Sequence, residues 1–249
     1  MTLPGFEARR LSFGTDASAY ADFRPDYPAA AVDWVLAAVT GDVVTVADVG
    51  AGTGALTQVI ANKGLVASAY DADEDMLAEL SRRLPEVPTH VSSANSLPLS
   101  SSSVDALFAA QAWHWFSQPA TSQEFLRVVR PGGTIGLLWN NRDATVPWLA
   151  DLADLVDGTD AGISSSVQTL ENIAALHPSV EQRVFEHMVS MSPVQVIGLV
   201  STLSNVNRRS DAAQVYSAVR DLLQTHPDTV DRDEVEMRYV TVTYRIPVS

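Results

Sequence analysis

From Val43 onward, short runs of apolar, β-branched residues alternate with segments whose apolar positions recur every three or four residues. Val43 to Val49 (VVTVADV) is closed by glycines and predicts a buried parallel strand. A helix is expected over Thr53 to Asn62, with Leu56, Val59 and Ile60 on its apolar stripe and Gly64 at the C-cap position. Leu65 to Tyr70 predicts a second strand. Asp73 to Leu84 predicts a second helix, with Asp73 as N-cap, acids in its first turn and Pro85 ending it. Pro88 to Val91 and Val104 to Ala110 supply the third and fourth strands. Gln118 to Val129 follows as a helix stopped by Pro131-Gly132-Gly133, and Thr134 to Trp139 as a fifth strand. Strands and helices alternating in this way predict a doubly wound parallel sheet.

Outside that block, Pro28 to Val39 reads as an amphipathic helix, with proline where a missing N–H costs nothing. Leu149 to Val156, Val167 to Leu176, Pro193 to Leu203 and Asp211 to Leu223 read as further helices. Glu181 to Val189 and Val235 to Ile246 are strand-like, the second rich in Val, Thr and Tyr and expected to join the sheet. The expected organisation is one domain: a core of about 28–143 with closing strands near 181–190 and 235–246. The arm 1–27 and helices about 147–176 and 193–225 are expected to cover a substrate.

Composition narrows the chemistry. The chain has 249 residues and a formal net charge of −14, which disfavours phosphate backbones and anionic lipid as partners. It has no cysteine, so disulfides, thiolate metal sites and cysteine nucleophiles are excluded, and its five histidines are scattered, so no metal site is expected. The first ten residues carry no apolar signal region and no apolar run approaches the roughly 20 residues of a membrane span. A cytoplasmic protein with a small-molecule substrate, and with neither nucleic-acid nor membrane partners, is the expectation.

The segment Asp48-Val49-Gly50-Ala51-Gly52-Thr53-Gly54 stands at a strand-to-helix junction. Glycines there let the backbone turn sharply and approach a ligand, with the N–H groups of the next helix facing it. Read as Gly50-x-Gly52-x-x-Ala55, the loop also satisfies the relaxed dinucleotide fingerprint, so a nicotinamide-dependent oxidoreductase is one reading. Asp71, 17 residues past Gly54, ends the second strand, where a carboxylate accepts from ribose hydroxyls in either case. Asp48 separates the readings: an acid in that loop sits badly against a pyrophosphate but suits an ammonium or a sulfonium.

With Arg130-Pro131-Gly132-Gly133 before the fifth strand, the sequence resembles the class I S-adenosylmethionine-dependent methyltransferases. Tyr20-x-x-x-Arg24-Pro25-x-Tyr27-Pro28, Ala110-Gln111-Ala112-Trp113-His114-Trp115-Phe116 and Trp139-Asn140-x-Arg142-Asp143 resemble the small-molecule branch that includes trans-aconitate methyltransferases. The resemblance implies a Rossmann-like, mostly parallel seven-stranded sheet with added helices over the acceptor site. It implies S-adenosylmethionine as cofactor. Asp48, Gly50, Ala51, Gly52 and Gly54 would enclose its methionine part, Asp71 its ribose, Ala72 and Met76 its adenine. Ser93 and Ala94 would edge the adenine ring, and Gln111 would face the methionine part. Ser93 stands where relatives carry an aspartate.

In-line methyl transfer requires alignment and exclusion of water more than a strong base. For a carboxylate acceptor, Arg24 and Arg142 are candidates for a bidentate clamp, each alternatively a structural ion pair. For a hydroxyl or amine, His114 is the candidate general base, alternatively part of the pocket wall. Tyr20, Tyr27, Trp113 and Asn140 complete the expected acceptor site. A cofactor-binding module without turnover is the reading outside the enzymes.

Overall fold

In the computed structural model, Val46, Ala47, Asp48 and Val49 of β1 (Thr45–Val49) are all buried, as a strand covered on both faces requires. Val46 joins an apolar cluster with Ile60 and Phe108, whereas Ala47 and Val49 join another with Phe125 and Ile135. The period of two sends neighbours to opposite faces of the sheet. Truncating a side chain as deeply buried as Phe108 to alanine costs about 3–5 kcal/mol. The structure describes residues 23–116, 119–157 and 179–249; the helix expected over Val167 to Leu176, Tyr20 and most of the arm lie outside them.

Before β1 comes α1 (Ala29–Leu36); after it come α2 (Ala55–Ala61), β2 (Val66–Asp71), α3 (Glu74–Arg83), β3 (Thr89–Val91) and β4 (Val104–Ala110). A 3-10 turn, Trp113–Trp115, leads to α4 (Ala120–Val128) and β5 (Val129–Arg142). The remaining elements are α5 (Pro147–Asp157), β6 (Glu181–Met191), α6 (Pro193–Ser201), α7 (Ser204–Asn207), α8 (Ala212–Thr225) and β7 (Val235–Pro247).

The sheet has seven strands in the order β3-β2-β1-β4-β5-β7-β6. It is mixed: β3 through β5 are parallel, but β7 runs antiparallel to both β5 and β6. The parallel pattern expected of the alternating block holds there, and the antiparallel pairs are confined to β7 and its two neighbours. Strand order reverses between β1 and β4, which opens a crevice at their carboxyl ends, where ligands bind in such sheets.

Local chemistry fixes the ends of the elements. Asp73 caps α3 by accepting from the Asp75 and Met76 N–H groups, with Glu74 and Asp75 in the first turn and Arg82 and Arg83 in the last, complementing the helix dipole. A capping box between Ser192 and Gln195 starts α6. One expectation fails at Arg130-Pro131-Gly132-Gly133. These residues do not precede β5 but form part of it, through a register shift in which Val129 faces Val104 and Thr134 faces Ala106. Gly132 N–H donates to Val248 and Val248 N–H to Gly133, so the end of the chain holds the irregular segment in the ladder.

Helices α5, α6, α7 and α8 build a third apolar cluster against the start of β7, including Trp148, Val200, Val219 and Met237. This layer stands at the crevice. The ring of Phe23 packs on Gly198 of α6, and Arg24 donates through Nε to the Thr202 hydroxyl at 3.0 Å, which ties the segment before α1 to the same layer. Among the described residues no helix is long and apolar enough to cross a membrane, and no cluster of His, Asp or Glu could hold a metal.

Candidate active site

A cavity of about 550 Å³ fills the crevice, walled by the carboxyl ends of β1, β2, β4 and β5 and roofed by α5, α6 and the turn after it. Its volume is in the range of small-molecule sites. The loop between β1 and α2 supplies one end. Gly50, Gly52 and Gly54 have φ of +73°, +55° and +91°, a region that disfavours residues with a Cβ. At Gly50 space is limiting as well, since a Cβ there would lie 2.5 Å from the Ala112 Cβ. Gly50 and Ala51 N–H groups donate to the Tyr70 carbonyl, which pins the loop to β2.

Two carboxylates define the chemistry of this end. Asp48 is 1% exposed; one oxygen accepts from the Thr57 hydroxyl at 2.7 Å and the other has no partner. Burial pushes its pKa from 3.8 up to about 7, the Thr57 hydrogen bond opposes this, and the nearby Asp71 charge adds to it. An orphaned, buried carboxylate oxygen on a cavity wall is a seat for a cation. Asp71 accepts from the Gly52 N–H at 2.8 Å and the Asp73 N–H at 3.0 Å. Burial raises its pKa, while these N–H groups hold it down. The acids, the glycine loop and Met76 form a cradle that fits a nucleoside bearing a positively charged amino-acid tail, and a pyrophosphate at the loop would meet the Asp48 carboxylate.

Arg24 and Arg142 also line the cavity, as do Asn140, Tyr27 and Asp157. Arg142 donates through Nη2 to Asp157 at 2.8 Å, and its buried Nε has no partner. Asn140 is fully engaged: its carbonyl accepts from Gln111 Nε2 at 2.7 Å, its side-chain oxygen from the Thr241 hydroxyl at 2.6 Å, and its amide donates to the Asp26 carbonyl at 3.1 Å. Gln111 itself sits at φ +50°, a strained conformation for a side-chain-bearing residue at the mouth of β4.

Of the residues singled out from the sequence, Asp48, Gly50, Ala51, Gly52, Asp71, Ala72, Met76, Ala94 and Gln111 line the cavity together, as do Arg24, Tyr27, Asn140 and Arg142. Four do not line it. A Cβ on Gly54 would lie 2.8 Å from Leu80 Cγ, so this glycine serves helix packing. Ser93 turns its hydroxyl to Asn95 at 2.7 Å. Trp113 is core, 5.7 Å from the Phe125 ring. His114 is exposed, and Trp139 Nε1 donates to its Nδ1 at 3.4 Å. Desolvation lowers the His114 pKa from 6.5 to about 4, so the imidazole is neutral at pH 7. Sequence reading missed Trp115, Phe116, Ser92 and Tyr239, all on the cavity wall, the last two with buried hydroxyls that have no partner. Alternation in MRYVTVTYRI was the available signal for Tyr239.

A methyltransferase domain family matches residues 47–137. An uncharacterised methyltransferase of Mycobacterium tuberculosis is 35% identical over 237 residues, covering 94% of this chain and 95% of that protein. Among solved structures, a type II methyltransferase candidate from Anaeromyxobacter dehalogenans matches with a TM-score of 0.69 at 23% identity, over 90% of this chain and 97% of that one. Phosphoethanolamine N-methyltransferase 2 of Haemonchus contortus, solved with phosphomonomethylethanolamine and S-adenosylhomocysteine, matches with a TM-score of 0.56 at 16% identity, over 100% of this chain and 61% of that one. These two are likenesses of fold.

Proposed function

Because the chain belongs to the S-adenosylmethionine-dependent methyltransferases, with S-adenosylmethionine as cofactor, we propose that its acceptor is a small molecule methylated on an oxygen of a carboxylate or hydroxyl. The observation that carries this reading is that one cavity is lined both by the acids Asp48 and Asp71 and by the guanidinium groups of Arg24 and Arg142. The cofactor supplies an activated methyl on a sulfonium. Asp48 would hold its ammonium, Asp71 its ribose hydroxyls, and Met76 with Ala72 and Ala94 its adenine. The orphaned Asp48 oxygen and the Cβ-free Gly50 are what make the fit.

Arg142 and Arg24 then orient an anionic acceptor, and the apolar roof of Leu199, Leu203 and Ala153 excludes water. A carboxylate is already ionised at pH 7 and needs alignment only, which agrees with a cavity that no histidine lines among the described residues.

The test is incubation with methyl-labelled S-adenosylmethionine and a metabolite extract, followed by mass spectrometry. Label in a small, acidic or hydroxylated product is expected. Bound cofactor with no labelled small molecule would instead favour a binding module without turnover.

A further inference from the structure

Antiparallel register places Arg142 of β5 directly opposite Tyr239 of β7. Such cross-strand neighbours share one face of the sheet, with Cβ atoms about 5 Å apart. Both residues line the cavity, and among the described residues both present a buried donor with no partner: the Tyr239 hydroxyl and the Arg142 Nε. Tyr239 is only 4% exposed, and its ring stacks on His187, the next residue across the sheet, at 5.4 Å and 21°. Neither donor is left over from a turn or a cap; each is buried on a cavity wall, where a bound ligand can satisfy it.

Asp157 completes the arrangement. It holds Arg142 through Nη2 alone, at 2.8 Å, and is itself 43% exposed on its side chain. Nε and Nη2 form the side-on edge of a guanidinium, the edge that takes a carboxylate through two parallel hydrogen bonds. A carboxylate seated there needs the Nη2 that Asp157 now occupies. An ion pair with one partner so exposed is weak and readily exchanged.

We propose that Tyr239 is the acceptor-positioning residue of this site: its hydroxyl and the side-on edge of Arg142 receive one carboxylate of the acceptor, for which Asp157 is the internal placeholder. The proposal rests on the methyltransferase reading of the cavity. Burial pushes the Tyr239 pKa up to about 12 against the opposing charges of Arg142 and Arg24, so the phenol stays a hydrogen-bond donor at any physiological pH. Tyr239 takes no proton and joins no covalent step. Its role is to fix which acceptor oxygen faces the methyl.

Succinate, titrated calorimetrically into the protein saturated with S-adenosylhomocysteine, tests this. Tyr239→Phe is expected to weaken succinate about tenfold, as for a lost hydrogen bond to a charged group, with S-adenosylhomocysteine affinity held within twofold and no fall in melting temperature. Asp157→Asn is expected to tighten succinate about two- to fivefold by removing the competing anion. Equal succinate affinity in wild type and Tyr239→Phe overturns the proposal. So does unchanged or weaker binding in Asp157→Asn, or no succinate binding by any of the three proteins. Loss of S-adenosylhomocysteine binding by the wild type would fail the methyltransferase reading itself, which the first titration in the series detects separately.

Discussion

Asp48 and Thr57 meet in the buried floor of the glycine loop at 2.7 Å, and this contact occupies one Asp48 oxygen while leaving the other without a partner. The structure thus stores a desolvated carboxylate whose pKa stands near 7. A bound ammonium needs it ionised. Affinity for S-adenosylhomocysteine is therefore expected to rise with pH, about tenfold per unit below pH 7 and levelling above it, in titrations across that range. Flat affinity would remove Asp48 from the site. The sign for stability is opposite: a carboxylate raised above its unfolded value of 3.8 destabilises the ligand-free protein as pH climbs from about 4 to 7. Asp48→Asn should therefore melt higher than wild type at neutral pH while binding cofactor poorly.

Asp71 joins the loop to β2 through the Gly52 and Asp73 N–H groups. Asp71→Ala removes both acceptors together with the proposed ribose contact, and S-adenosylhomocysteine affinity is expected to fall more than tenfold. Calorimetry showing wild-type affinity would refute the assignment.

Gly50→Ala forces a Cβ to within 2.5 Å of the Ala112 Cβ at a residue with φ +73°. Strain of about 1–3 kcal/mol is expected, lowering the melting temperature by several degrees and weakening the cofactor. Adding Ala112→Gly should restore part of the loss, since it relieves the clash and not the dihedral. A double variant no better than Gly50→Ala would show that contact to be unimportant.

How far these positions were legible in the sequence differs by kind. Strands β1 and β4 declared themselves because burial on both faces makes a continuous apolar run, and Asp73 declared α3 because a cap is local chemistry. The extent of β5 was hidden, since Pro131-Gly132-Gly133 reads as a turn until Val248, more than a hundred residues away, supplies its partners. Trp113 and Trp115 could not be told apart by alternation because they lie on a 3-10 turn, which sends Trp113 to Phe125 and leaves Trp115 to the cavity. Tyr239 required the β5–β7 register, a wholly non-local fact.

That non-local order has its own staple. Asp105 at the start of β4 accepts from the Val44 and Thr45 N–H groups at 2.8 and 2.7 Å and from Arg130 Nε at 2.6 Å. Burial alone would raise its pKa, but these donors pull it well below the ordinary carboxylate range. Its stabilisation is present above about pH 4 and lost as pH falls through the depressed value. Asp105→Asn is expected to cost about 2 kcal/mol in urea unfolding at pH 7, with the gap to wild type closing in acid. A gap that persists unchanged in acid would contradict the role of its charge.

The most direct measurement is calorimetric titration of the folded wild-type protein, at a pH above 7, with S-adenosylmethionine and separately with reduced nicotinamide dinucleotide. Saturable one-site binding of S-adenosylmethionine, with none of the pyrophosphate-bearing ligand, is the result expected of a cavity acidic at its glycine loop. Binding of the dinucleotide instead, or of neither, would contradict it.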